Sequence, residues 1–289
     1  MSSASGGAEL GASGARAFLR SAAQSLDEAG CESPRLDAEL LLACALQTDR
    51  AGLRRLGDEP LDSDVARRAQ SLIDRRIQRE PVAQITGQRW FRNLELKVDS
   101  NVLSPRPETE LLVEWALDLP PGAVVADVGT GSGAIALALA DERPDLKLIA
   151  TDISVAALAV AQANADRLGL HVDFRLGNLL EPISEKLDAV ISNPPYIPEG
   201  DMERLAPEVS KYEPWVALTP GPDGLKCVRD LAAQAAERGV ELVAMEIGHD
   251  QAQMTAAILK SAGWAQVESL KDLAGIDRVV AATGRKPRT

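Results

Sequence analysis

The sequence predicts an α/β fold: an open parallel sheet with helices on both faces, preceded by a small all-helical domain. Three observations carry this. Apolar runs at 124–128, 146–150, 172–176, 189–191 and 240–247 read as buried strands. Amphipathic stretches such as 134–140 and 156–168 lie between them, and strands alternating with helices specify a parallel sheet covered on both sides. Residues 15–80 carry no strand signal, only apolar positions at helical spacing.

Taken in order, residues 1–14 are rich in Ser, Gly and Ala and read as a flexible tail. They lack the early basic cluster and apolar run of a signal peptide. Phe18, Leu19, Ala22 and Leu26 mark a first helix, which Gly30 can end. Leu40, Leu41, Leu42 and Leu46 mark a second, and Val65, Leu72, Ile73 and Ile77 a third. Arg67, Arg68, Arg75, Arg76 and Arg79 decorate that third helix as a solvated face or a place where a partner docks. Residues 81–104 are expected to be a β-hairpin linker, with strands through Val82 and Ile85 turning at Gly87 toward Trp90, Phe91 and Leu94. Residues 105–289 are expected to form the second, larger domain that carries the sheet. Trp90, Trp115, Trp215 and Trp264 are expected in the core or at a domain interface.

Composition narrows the function classes. The chain has 289 residues, 45% of them hydrophobic, enough for one catalytic-size domain and a smaller one. Its 31 Lys and Arg against 43 Asp and Glu give a net charge of −12, which opposes a grip on long stretches of nucleic acid. Three cysteines (Cys31, Cys44, Cys227) and two histidines (His171, His249) are too few and scattered for a disulfide framework or a metal site. No apolar run approaches the roughly 18 residues of a membrane span. A cytoplasmic, monomeric protein with no metal, no membrane association and no stable nucleic-acid binding is expected.

Ligands of open α/β sheets sit beyond the carboxyl ends of the strands, and two motifs fall there. Asp127-Val128-Gly129-Thr130-Gly131-Ser132-Gly133 follows a strand and opens a helix. Its glycines let the backbone turn sharply and approach a ligand, and the helix N-terminus favours a carboxylate or phosphate. Gly129-x-Gly131-x-x-Ala134 also fits a dinucleotide fingerprint. Gly133 and the acid Asp127 tell against that reading, because an acid repels a pyrophosphate but can hold the amino group of S-adenosylmethionine. Asp152 ends the next strand, 23 positions beyond Gly129, where it can accept from ribose hydroxyls of either cofactor.

The second motif is Asn193-Pro194-Pro195-Tyr196, after the strand at 189–191. Two prolines stiffen the loop and leave its carbonyls as net acceptors. Asn193 adds a side-chain carbonyl, and Tyr196 an aromatic face. Together they describe a slot for a flat, amino-bearing group, an amide or a nucleobase, whose nitrogen is aligned with a methyl donor. His171 and His249 have no partner for acid–base work.

These residues resemble a class I (Rossmann-like) S-adenosylmethionine-dependent methyltransferase that acts on an amino group. The segment 103–110 (Leu-Ser-Pro-Arg-Pro-Glu-Thr-Glu), Gln84-Ile85-Thr86-Gly87, Tyr212-Glu213-Pro214, the block 221–225 and Glu246-Ile247-Gly248 narrow the resemblance to the HemK/PrmC family, across residues 30–282. The resemblance implies methylation of the glutamine side-chain nitrogen in the Gly-Gly-Gln motif of class I peptide chain release factors, tuning translation termination. It implies that the helical domain helps hold the release factor and that Asn193, Pro194, Pro195 and Tyr196 clasp the glutamine. S-adenosylmethionine is the implied cofactor. Gly129, Thr130, Gly131, Ser132 and Gly133, with Asp127, would line its methionine end and Asp152 its ribose, with Asn193 alongside. Arg106 and Thr109 would sit near the methionine end or brace the reactive loop, and Glu213-Pro214 would brace that loop too. Adenine would lie by Asn178 and Leu179, where the family commonly has an acid and an aromatic; Asn can accept from the adenine amino group and Leu can pack on its ring. Alternatives are a ribosomal-protein glutamine, an exocyclic amine of adenine in nucleic acid, and a non-catalytic cofactor-binding scaffold.

Overall fold

The computed structural model describes residues 14–285. The expected tail at 1–14 therefore lies, apart from Gly14, outside the described residues. Two compact units meet in sequence between Gly87 and Gln88.

The first unit is helical: α1 (Ala15–Glu28), α2 (Pro34–Ala45), α3 (Arg50–Leu56), α4 (Ser63–Ile77) and α5 (Val82–Thr86). α1 buries Ala15, Phe18, Ala22 and Leu26, one stripe at helical spacing. Asp62 caps α4 by accepting from the Asp64 and Val65 amides. The buried ion pair of Asp37 and Arg76, at 2.8 Å, ties α2 to α4. α3 was not foreseen; its seven residues are too few to display a period, and its start is set by the Asp49 side chain accepting from Gly52 N. A correction falls on residues 82–86. They form a helix, not a strand, and Gly87 at φ +72° is its left-handed cap rather than a hairpin turn. The Pro81 carbonyl accepts from the Gln84 and Ile85 amides, and Ile85 buries its side chain in the helical core.

The second unit opens with the hairpin β1 (Gln88–Phe91) and β2 (Leu94–Lys97). The main sheet contains β3 (Val124–Val128), β4 (Lys147–Asp152), β5 (Asp173–Leu176), β6 (Ala189–Ser192), β7 (Leu242–Glu246), β8 (Trp264–Lys271) and β9 (Asp277–Arg285). Strand order is β5-β4-β3-β6-β7-β9-β8. The first five run parallel, but β9 pairs antiparallel with both β7 and β8. The fully parallel sheet expected from the apolar runs is thus closed on one side by an antiparallel pair. Helices α6 (Glu110–Ala116), α7 (Ala134–Glu142), α8 (Val155–Leu168), α9 (Pro207–Ser210), α10 (Lys226–Glu237) and α11 (Ala252–Ser261) complete the unit.

Two apolar cores form, one on each face of the sheet. One joins Phe91, Leu112, Val125 and Leu137; the other joins Val128, Val190, Leu231 and Trp264. Trp264 is fully buried and Trp115 packs against the first core. Trp90 and Trp215 are 65% and 57% exposed, so of the expected core or interface positions neither is a core one. Register sets the site: Val128 stands beside Thr151 and Ser192, and Ser192 beside Met245. The residues at or just beyond the strand ends, 129, 152, 193 and 246, therefore emerge on one edge, where the chain order reverses across β3.

Candidate active site

A cavity of about 370 Å³ opens at that edge. Its floor is the loop between β3 and α7. The Gly129 and Thr130 amides donate to the Thr151 carbonyl at 2.8 and 3.0 Å, and the Gly131 amide donates to Asp152 Oδ2 at 2.9 Å. Gly129 and Gly131 hold φ of +73° and +56°, and a Cβ at either would meet no atom of the chain. Gly133 is different: at φ +83°, its Cβ would stand 2.9 Å from Leu137 Cδ1. Gly129 and Gly131 keep the ligand side clear, whereas Gly133 lets α7 pack.

Asp127 turns away from the cavity. Its Oδ2 accepts from Thr130 Oγ1 at 2.6 Å and from the Ala136 amide at 3.2 Å, bracing the loop from beneath. Its Oδ1 is buried without a partner. Burial, chiefly, pushes this carboxyl up to about 6, against the pull of those two hydrogen bonds and with a further push from Asp152.

Asp152 and the segment after β5 form the next wall. Asp152 accepts through Oδ1 from the Ser154 amide at 2.8 Å, so its carboxylate joins the glycine loop to the start of α8. Asn178 lines the cavity and donates through Nδ2 to Glu181 at 2.9 Å, which leaves its carbonyl oxygen to accept. Leu179 also lines it, at φ +51°; its carbonyl accepts from Thr151 Oγ1 at 2.8 Å.

The opposite wall is the loop after β6. Ser192 Oγ donates to the Val128 carbonyl at 2.7 Å, tying the loop to β3. Asn193, Pro194 and Pro195 line the cavity, as does Thr109. Asn193 Nδ2 lies 3.1 Å from Thr109 Oγ1, and Thr109 Oγ1 donates to Glu246 Oε2 at 2.6 Å. Tyr196 is largely buried behind the loop, its hydroxyl 3.4 Å from Glu246 Oε1. Burial, chiefly, and then the Glu246 charge raise its phenol above the ordinary value. The Tyr196 carbonyl accepts from Gln251 Nε2 at 2.8 Å, and a Cβ at Gly224 would come within 2.3 Å of that carbonyl, so the backbone behind the loop is closely fitted.

Of the residues singled out in the sequence, Thr109, Gly129, Thr130, Gly131, Ser132, Asp152, Asn178, Leu179, Asn193, Pro194 and Pro195 line this one cavity. Arg106, Asp127, Gly133 and Tyr196 stand behind it. Arg106 Nη2 donates to both Glu213 oxygens, at 2.8 and 2.7 Å, and the Ser104 amide reaches Glu213 Oε1 at 3.4 Å. Burial raises the Glu213 carboxyl in spite of the guanidinium. Glu246, known from the sequence only as part of the Glu246-Ile247-Gly248 block, is a further member of this site. Its signal was there, an acid ending a wholly apolar strand, but the partner Thr109 is 137 residues away.

The cavity fits a ligand with a nucleoside at one end and a charged amino acid at the other. Open space beside Gly129 and Gly131 leaves room for such a ligand, and the carboxylate at the end of β4 and the amide carbonyl of Asn178 are the acceptors its hydroxyl and amino groups need. Among the described residues, no group of three or more His, Cys, Asp or Glu is placed to hold a metal ion, and no helix is long and apolar enough to cross a membrane.

Known proteins share the sequence of both units. Residues 17–87 match the family model described as the PrmC N-terminal domain, and residues 101–208 match the methyltransferase small domain. The chain is 43% identical over 268 residues to the release factor glutamine methyltransferase of Cereibacter sphaeroides, covering 91% of this chain and 96% of that one. It is 42% identical over 252 residues to that of Neisseria gonorrhoeae, covering 85% and 92%. A methyltransferase structure from Pyrococcus furiosus shares the fold, with a TM-score of 0.51 at 18% identity over 66% of this chain and 88% of that one. With such identity along nearly its whole length, the chain belongs to the release factor glutamine methyltransferase family.

Proposed function

We propose that the protein methylates the side-chain amide nitrogen of the glutamine in the Gly-Gly-Gln motif of class I peptide chain release factors. The observation that carries this reading is Asn193, a side-chain amide held at the wall of the cavity with its NH2 group engaged by Thr109 and its carbonyl left for a substrate. The cofactor is S-adenosylmethionine, which supplies an electrophilic methyl group on its sulfonium when bound. Gly129, Thr130, Gly131 and Ser132 take its methionine end, Asp152 its ribose hydroxyls, and Asn178 and Leu179 its adenine. Asp127, Gly133 and Arg106 hold those segments in place.

An amide nitrogen is a weak nucleophile because its lone pair is delocalised. The Asn193 side-chain carbonyl and the Pro194 backbone carbonyl each accept one N–H of the glutamine and so turn its nitrogen toward the methyl carbon. Orientation of this kind is worth on the order of several kcal/mol of barrier. The prolines keep both acceptors in place before substrate arrives, and Tyr196 closes the back of the slot. The helical unit holds the release factor body, in a cytoplasmic, monomeric enzyme that does not bind nucleic acid stably.

Peptide-resolved mass spectrometry tests the reading. The enzyme is incubated with S-adenosylmethionine and an unmethylated release factor, with ribosomal proteins and DNA alongside. One methyl on the Gly-Gly-Gln glutamine alone is expected. Label on a ribosomal-protein glutamine or on adenine instead would move the substrate and leave the fold and cofactor standing.

A further inference from the structure

Glu246 is a buried acid that the proposed chemistry leaves without a task. It ends β7 at 2% exposure, and a carboxylate there is unfavourable unless its neighbours compensate. Its two oxygens are divided between two segments of the site: Oε2 receives the Thr109 hydroxyl and Oε1 faces the Tyr196 hydroxyl. An ionised carboxylate only accepts, and a threonine hydroxyl has a single proton to donate. With that proton committed to Glu246 at 2.6 Å, Thr109 Oγ1 can meet Asn193 only as an acceptor. Asn193 must then turn Nδ2 toward Thr109, at 3.1 Å, and its Oδ1 is left for the cavity the residue lines.

Without the carboxylate the relay loses its direction. Thr109 could equally donate to Asn193 Oδ1, with the amide turned over and its NH2 group facing the substrate. Two donors would then face each other where a glutamine NH2 must be gripped.

We propose that Glu246 is a positioning residue that, through Thr109, fixes the Asn193 amide as a hydrogen-bond acceptor toward the substrate. The inference rests on the amide-clamp reading above. The charged and titratable groups facing Glu246 are Glu108, beside Thr109, Tyr196 on the reactive loop and Arg278 on β9; Arg106 acts on Tyr196 in turn. Burial outweighs them and lifts the Glu246 carboxyl up to about 7. A protonated Glu246 can itself donate to Thr109, so the relay is directed above that pH and released below it.

The test uses the full-length enzyme, S-adenosylmethionine and unmethylated release factor, with Glu246→Gln, Thr109→Val, Thr109→Ser and the double variant Glu246→Gln/Thr109→Val. Glu246→Gln is expected to lower kcat about tenfold or more, an interaction lost mainly as the acceptor is aligned, with calorimetric cofactor Kd within about threefold. The acid limb of the wild-type kcat profile near pH 7 should vanish in this variant. Thr109→Val should match it, the double variant should be no worse than either single one, and Thr109→Ser should recover most of what Thr109→Val loses. Wild-type kcat in Glu246→Gln, a retained acid limb, or losses that multiply in the double variant would overturn the proposal. Should Glu246→Gln fail to fold, the contrast between Thr109→Ser and Thr109→Val and the wild-type pH profile decide the matter. Failure of the clamp reading is separate, since it shows as wild-type enzyme placing no methyl on the glutamine.

Discussion

Arg106 and Glu213, 107 residues apart in the chain, meet through one guanidinium nitrogen that lies 2.8 and 2.7 Å from the two carboxylate oxygens. The pair draws together two strips of the cavity wall, since Pro105 and Pro214, their chain neighbours, both line it. The Glu213 side chain is 1% exposed and that of Arg106 37%. An acid so buried depends on its partner, while the partner's own exposure weakens the pair through solvent screening.

Arg106→Met should therefore destabilise the fold by about 1–3 kcal/mol at pH 8. Burial already holds the Glu213 carboxyl above its ordinary value, and without Arg106 it rises further. The loss should accordingly shrink as pH falls and Glu213 takes up a proton. Urea unfolding at pH 8 and pH 5.5 reads this directly; an equal loss at both would mean that charge is not what Arg106 supplies.

Gly133→Ala combines a left-handed φ of +83° with a Cβ 2.9 Å from Leu137 Cδ1 and 3.3 Å from Ala161 Cβ. Strain and overpacking together should cost roughly 2–4 kcal/mol. Gly129→Ala has the strain without the overlap. Its effect should fall instead on cofactor affinity, measured by calorimetric titration with S-adenosylmethionine.

Asp152→Ala and Asn193→Ala should separate binding from turnover. Removing Asp152 deletes the acceptor for the Gly131 and Ser154 amides and should weaken cofactor binding about tenfold to a hundredfold. Removing Asn193 should leave cofactor affinity within about threefold and lower kcat by about a hundredfold or more, since its carbonyl acts while the acceptor nitrogen is being aligned. Comparable cofactor affinities in the two variants would count against this division.

Thermal unfolding against pH offers an independent view of Glu246. Its folded pKa, raised to about 7, exceeds the unfolded value near 4.5, so the folded chain holds the extra proton in between. The stability it contributes is full below about pH 4.5 and is lost as pH rises through 7. Glu246→Gln should therefore gain on the wild type by about 2–3 kcal/mol between pH 5 and pH 8. Parallel stability curves would show that Glu246 does not titrate in that window.

Deleting residues 1–87 should raise KM for intact release factor far more than it slows methylation of a short peptide containing the Gly-Gly-Gln motif. The comparison is made by steady-state kinetics on both substrates. Equal KM for the intact factor would remove the helical unit from recognition.

Much of the catalytic unit was legible because buried parallel strands announce themselves as apolar runs. The run at 124–128 coincides with β3, and the glycine loop and the Asn193 tetrad stand at its edge as expected. β8 was not legible, since most of its residues are exposed or half-buried and its sequence carries no apolar run. Residues 82–86 misled because Val, Ile and Thr favour strands locally, while the Pro81 and Gly87 caps and the burial of Ile85 decide for a helix. Asp127 was legible as a member of its motif but not in its direction, which depends on Thr130 and Ala136 holding its carboxylate beneath the loop.

By itself, the sequence determined the alternation of strands and helices around the glycine loop, the family, and the residue types at the mouth of the sheet. These follow from local periodicity and from short motifs whose members are neighbours in the chain. Tertiary structure alone decided which acids turn inward and which polar groups share a proton. The Arg106–Glu213 pair and the line from Asn193 through Thr109 to Glu246 join residues 84 to 137 positions apart. Hydrogen-bond direction is set by which atoms lie within about 3 Å of one another, and no spacing along the chain encodes that.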